Sequence, residues 1–506
     1  MPAAWRFAFA APALLILVAC PTVRTPQLHE AANVPRPSPH PLKVHLRSGE
    51  LLVLSRWTDM PGDSALWGTG RRYDARRRSS VAFAGVMPRD SIALLETASH
   101  RTVAPAGSVI LGTYTVLAGA VTIACLADPK GCFGSCPTFY LEDADDRPVA
   151  EGFSGSVARA LEATDIDDLG LVRGGGTFAV TMRNEALETH VVRSVRLVAV
   201  RTPHAAIAVA GEAGGFGAVA QLTPPEGCRS GTADCGAMVA ARDGAEWSTR
   251  ADPEDLGRLD SLELSFPAAP ARAVLLATAR QSFVSTWVFY QALAWAGSRA
   301  GELLAAVERH GTDALPGAWA AMRRLATIEV FARRPGGTWV FAGSFGEPGP
   351  IAPDRHALPL PPDAGPLEVR LRFTRGAWRF DELVVASLGG ELDAVVIEPF
   401  AVERAGRPDT LALQRLRDPS RYLVTNPADR YRLTYALPAG AWSLFLESTG
   451  HYYEWMRPEW LREENAALLA LLAARPEEAL RRMAPDYARR EPALDSLFWA
   501  SRFGRN

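Results

Sequence analysis

Cys132 and Cys136 carry the densest candidate chemistry of the chain, in the run Lys130-Gly131-Cys132-Phe133-Gly134-Ser135-Cys136-Pro137-Thr138-Phe139-Tyr140. Gly131 and Gly134 let the backbone turn sharply, and Pro137 pushes Cys136 towards an extended conformation. Two thiols four apart on such a turn can close a small disulfide, and a staple capping the hairpin that follows is the favoured reading. The sharper alternative is a redox-active or Cu(I)-binding pair. Cys125 offers a third soft ligand, but zinc takes four and no nearby His completes a set. Cys228 and Cys235 bracket a short Gly/Ser/Asp loop and pair naturally as a second, local staple.

Glu185, Glu188 and His190 form a weaker group that could offer two carboxylates and an imidazole to a metal. On an extended segment Glu188 and His190 share a face and Glu185 does not, so a polar link between strands is the preferred reading. The acidic runs Glu142, Asp143, Asp145, Asp146 and Asp165, Asp167, Asp168 lack the spacing of a calcium loop and read as solvated turns. The sequence holds no Gly-x-Ser-x-Gly elbow, no His-Glu-x-x-His, no P-loop and no dinucleotide fingerprint. Nothing in it positively indicates an enzyme, and no cofactor is implied. Trp339, Phe341, Trp378 and Phe380 alternate in the late strands. Trp339 and Trp378 are the candidates for a binding surface, against the commoner fate of such aromatics as sandwich core.

Several phrases bring a family to mind: Cys132-Phe133-Gly134-Ser135-Cys136-Pro137, the run from Asn184 to His190 (NEALETH), Gly68-Thr69-Gly70-Arg71-Arg72-Tyr73, Gly376-Ala377-Trp378-Arg379-Phe380-Asp381 and Tyr452-Tyr453-Glu454-Trp455-Met456. Over about residues 42–460 the chain resembles a group of uncharacterised exported bacterial lipoprotein-like proteins. That resemblance carries no assigned activity and transfers no catalytic residue.

The elements that must hold these residues begin with an export signal. Arg6 precedes an apolar run that ends in Leu17-Val18-Ala19-Cys20, which reads as a lipobox: cleavage exposes Cys20 for acylation. An ordinary signal peptide or an uncleaved anchor is the competing reading. Acylated Cys20 would bind the lipid bilayer, placing the protein in the bacterial cell envelope, at the outer membrane or facing the periplasm. The chain has 54 basic and 56 acidic side chains, a balance that gives no polyanion-binding bias and no expected nucleic-acid partner. A protein or glycan partner at the envelope remains open.

Residues 1–19 are the signal and 20–41 a Pro-rich tether, extended and unpacked. Residues 42–100 show five short strands that suit a small SH3-like β-barrel. Residues 101–128 are apolar; 108–127 fit a buried helix or hairpin, or a bilayer span, and burial is preferred. A β-rich domain with the Cys motif follows over 129–270, then a helical connector over 271–325 and a β-sandwich or jelly-roll-like domain over 326–457. Residues 458–506 are helical, with Pro476 starting a second helix and Pro485 stopping it. The expected fold is mainly β with some α. The expected function is that of an envelope lipoprotein acting as a binding or structural module. The alternative is a thiol/disulfide or Cu(I)-handling protein using Cys132 and Cys136.

Overall fold

The computed structural model describes residues 22–502, apart from 39, 61–63, 75–78, 103–135, 143–146, 204–205, 212–214, 347–348, 363 and 501. Cys20, Cys125, Cys132, the apolar stretch 108–127 and most of the Glu142–Asp146 run therefore lie outside the described residues. The protein is mainly β, with curled antiparallel sheets and helices at the C-terminal end.

The five expected strands of the first module form, as Leu42–Leu46, Leu51–Asp59, Ala65–Tyr73, Ser80–Pro88 and Ile92–Thr102. Alternate residues Leu42, Val44, Leu52, Leu54, Trp57 and Leu66 fill its core, as period-two burial requires. A sixth strand, Thr22–His29, pairs along its whole length with Leu95–Thr102 and buries Leu28. The N-terminal part of the expected tether is thus packed, not free. Pro26 is tolerated because this is an edge strand.

The central sheet is organised by two long antiparallel strands, Ala163–Arg183 and Arg430–Glu454, flanked by Glu188–Val200 on one side and Thr138–Leu141 with Pro148–Glu151 on the other. Asp165, Asp167 and Asp168 belong to the first of these strands, so the expected solvated turn is corrected to strand. Alternation is the reason: Asp165 and Asp167 share one face of the pleat, and Asp167 is buried there.

Two further six-stranded sheets form the sandwich. One holds Phe216–Thr223, Ala273–Gln281, Asp354–Pro359 and Trp378–Leu392; the other holds Leu259–Ala269, Ile328–Arg333, Val340–Phe345 and Gly365–Thr374. The boundaries expected at 270 and 326 therefore run through shared sheets, and Arg430–Glu454 belongs to the central sheet instead. Antiparallel pairing joins strands hundreds of residues apart, and no local pattern marks such partners.

The helices Val284–Ala296, Ala300–His310 and Pro316–Leu325 lie with Pro458–Arg462, Ala466–Ala474 and Pro476–Ala500 as one layer. Pro485 does not stop the last helix, which runs on through Pro492 while burying Met483, Tyr487, Leu494 and Phe498. That burial outweighs the cost of an interior proline, about 3 kcal/mol. Gly301 lets the layer touch the first sheet, since a Cβ there would sit 1.8 Å from the Ala93 carbonyl oxygen. Among the described residues no helix is long and apolar enough to cross a membrane.

Candidate functional site

Where the central sheet meets the helical layer, the start of one strand faces the end of another. Glu188 is the direct cross-strand partner of Glu454, and His190 that of Tyr452. Alternation turns Glu188 and His190 to one face, as their spacing predicted, and Nε2 of His190 lies 3.0 Å from the Glu188 carboxylate. Tyr290, from the Val284–Ala296 helix, reaches both carboxylates with its hydroxyl: Glu188 at 3.4 Å and Glu454 at closer range. One hydroxyl proton cannot serve two ionised carboxylates at once. Burial and the neighbouring Glu188 push Glu454 up to about 8, against the pull of Arg457 at 2.8 Å. A proton on Glu454 and the Arg457 guanidinium together relieve the repulsion between the two acids of this cluster. It is buried: all four side chains are almost completely closed to solvent.

In front of this cluster is a cavity of about 210 Å³. Its apolar lining includes Val157, Phe289, Trp319, Met322, Ile351 and Phe498; its polar lining includes Cys136, Glu151, Gln281, Ser285, Tyr290 and Tyr452. An apolar cavity of about 150 Å³ takes benzene. This one has room for a single ring with a short side chain. The Pro148–Glu151 strand delivers Glu151, which accepts from the Ile351 backbone N–H at 3.2 Å and from the Ser154 hydroxyl at 3.4 Å. Gly349 is required beside it, because a Cβ would fall 1.1 Å from the Glu151 Oε1. The Gly349 carbonyl in turn accepts from the Gln281 N–H at 3.0 Å, so one bend of backbone sets both polar groups.

Cys136 is a buried free thiol. The partners expected for its staple, Cys132 and Cys125, lie outside the described residues. Burial first, then the charges of Glu151 and Glu188, raise its pKa well above the ordinary thiol value, so it stays protonated. A thiolate nucleophile or soft-metal ligand needs the opposite environment. Cys228 and Cys235 are disulfide-bonded as expected and close the Gly227–Ser230 and Ala233–Asp234 hairpin.

A second acidic group adjoins Glu151. Burial and Asp354 hold Asp165 up at about 7, and burial with Asp165 and Asp354 raises Asp167 well above its ordinary value, although their carboxylates accept backbone N–H groups of Phe153 (3.1 Å) and Glu151 (3.4 Å). Among the described residues no group of three His, Cys, Asp or Glu side chains could hold a metal ion. Glu185 stands apart from Glu188 and His190, accepting from the Tyr140 hydroxyl at 2.8 Å.

The structure separates the two tryptophan candidates. Trp378 is wholly buried and donates its indole N–H to the Leu325 carbonyl, so it is core and not a binding surface. Trp339 is half-buried under the guanidinium groups of Arg333 and Arg370, 4.3 and 4.2 Å from its ring. Sequence reasoning missed Glu151, Tyr290, Ser285 and Arg457. The signal for Glu454 lay in Tyr452-Tyr453-Glu454-Trp455, where Tyr452 and Glu454 share a strand face.

No family model matches the chain, and no curated protein matches it significantly. Among solved structures it is similar to the secreted serine protease VesC from Vibrio cholerae over 48% of this chain and 52% of that one, at 10% identity and a TM-score of 0.15. The match spans about half the length of that protein and carries no argument.

Proposed function

We propose that this chain is a cell-envelope lipoprotein, tethered through acylated Cys20, that binds a small and largely apolar molecule in the cavity between the central sheet and the helical layer. The observation that carries the reading is the lining itself: aromatic and aliphatic walls with a few converging polar groups, the composition of a ligand pocket. The thiol-handling alternative is disfavoured by the buried, protonated Cys136.

Ligand-observed NMR with ethylbenzene on the purified mature protein tests the pocket. Saturable binding in the natural protein, lost in a folded Ala326→Trp variant, is the expected result. Absence of saturable binding overturns the reading. Cell fractionation tests the tether: Cys20→Ser moves the protein out of the membrane fraction, and its retention there removes the acyl anchor.

A further inference from the structure

Ser285 sits in the first turn of the Val284–Ala296 helix, 2% exposed, and its hydroxyl has no hydrogen-bond partner among the described residues. It lines the cavity together with the Glu151 carboxylate and the Gln281 amide. An orphaned buried hydroxyl costs about 1–3 kcal/mol, and a ligand atom that meets it recovers that cost. Glu151, itself 2% exposed, is a buried acid in the same wall.

The charge around this end has one sign. Cys136 and Tyr452, both in the lining, are pushed up in pKa by burial and then by the negative charges near them, Glu151 and Glu188 among them. Arg457 is committed to Glu454 behind the wall. The lining's one cation among the described residues, Arg323, is exposed, where water and salt screen it. Phe289, Trp319 and Phe498 present π faces or edges to whatever occupies the remaining volume. An ammonium group offers three donors, and the wall offers three kinds of acceptor: carboxylate, hydroxyl and amide oxygen.

We propose that the cavity selects a small primary amine with an aromatic or apolar body, its ammonium held by Glu151, Ser285 and Gln281. This rests on the cavity being a binding site. The charge-assisted contact to Glu151 supplies the preference, Ser285 and Gln281 orient the head, and the aromatic walls hold the body.

Isothermal titration of the full mature protein with three probes of one shape decides it: 2-phenylethylamine, ethylbenzene and phenylacetate. The amine should bind about tenfold or more tighter than ethylbenzene, and phenylacetate more weakly than either. Glu151→Gln should bring the amine down to the level at which the same variant binds ethylbenzene. Ser285→Ala should weaken the amine about threefold, and it keeps the test open if the Glu151 variant does not fold. An amine no tighter than ethylbenzene overturns the proposal and leaves the pocket standing. So does tightest binding of phenylacetate, which the helix N-terminus would favour. If none of the three binds, the pocket reading falls with it.

Discussion

Two glutamates, Glu96 of the first sheet and Glu454 of the central sheet, are buried to the same degree and titrate in opposite directions. Burial alone raises both. At Glu96 that push is outweighed by Lys43 at 2.8 Å and His45 at 3.3 Å, which hold the carboxyl down at about 2. At Glu454 burial is reinforced by the carboxylate of Glu188, and Arg457 at 2.8 Å does not offset the two, so the group rises to about 8. The two sites are back to back. Lys43 lies 3.5 Å from the Thr189 hydroxyl and over the Trp455 ring, and Thr189 and Trp455 are the strand neighbours of Glu188 and Glu454. One strand pair thus carries an ionised, paired acid against one face and an acid that keeps its proton on the other. The neighbours, not the depth of burial, set the sign.

The largest expected effect comes from removing the cation that the second site does have. Arg457→Met leaves buried carboxylates without a counter-charge and should destabilise the protein by about 3–5 kcal/mol in denaturant unfolding. Next is Lys43→Met, about 2 kcal/mol at neutral pH, smaller because Lys43 keeps partial solvent contact and His45 remains. Equal costs for the two variants would break the contrast.

The pH dependence sharpens it. Glu96 is ionised in the native state well below its ordinary 4.5, so its contribution is present above 4.5 and lost as pH falls through about 2. Glu454 keeps its proton in the native state up to about 8. Its contribution is therefore complete below 4.5 and lost as pH rises through about 8. Glu454→Gln should flatten the fall in stability across that upper window by about 1–2 kcal/mol, measured as unfolding midpoints on a pH series. An unchanged slope would mean that Glu454 does not hold that proton. The smallest effect concerns Cys136: Cys136→Ala should cost about 1 kcal/mol, and peptide mapping after thiol labelling at pH 8 should find Cys136 unmodified until the protein is unfolded.

The strands of the first module were legible because each alternates over its own short span, as Leu42, Val44 and Leu46 do. The pairing of Glu188 and His190 on one face followed from the same period. The site was not legible. Tyr290 comes from a helix about a hundred residues past Glu188, and Glu454 lies 164 residues beyond Tyr290. The Asp165–Asp168 run and Pro485 misled for a common reason: a charge cluster suggests solvent and a proline suggests a helix end, until packing reverses both.

By itself the sequence determined the mainly β character, the hairpin staple of Cys228 and Cys235 and the C-terminal helices, since these depend on neighbours within a few residues. Only the tertiary structure decided that Cys136 is a protonated thiol in a cavity wall, that Trp378 is core, and that Glu188 and Glu454 meet across a strand pair behind Tyr290. Those properties are set by which charges and surfaces meet after distant strands pair, and the local chain carries no record of that meeting.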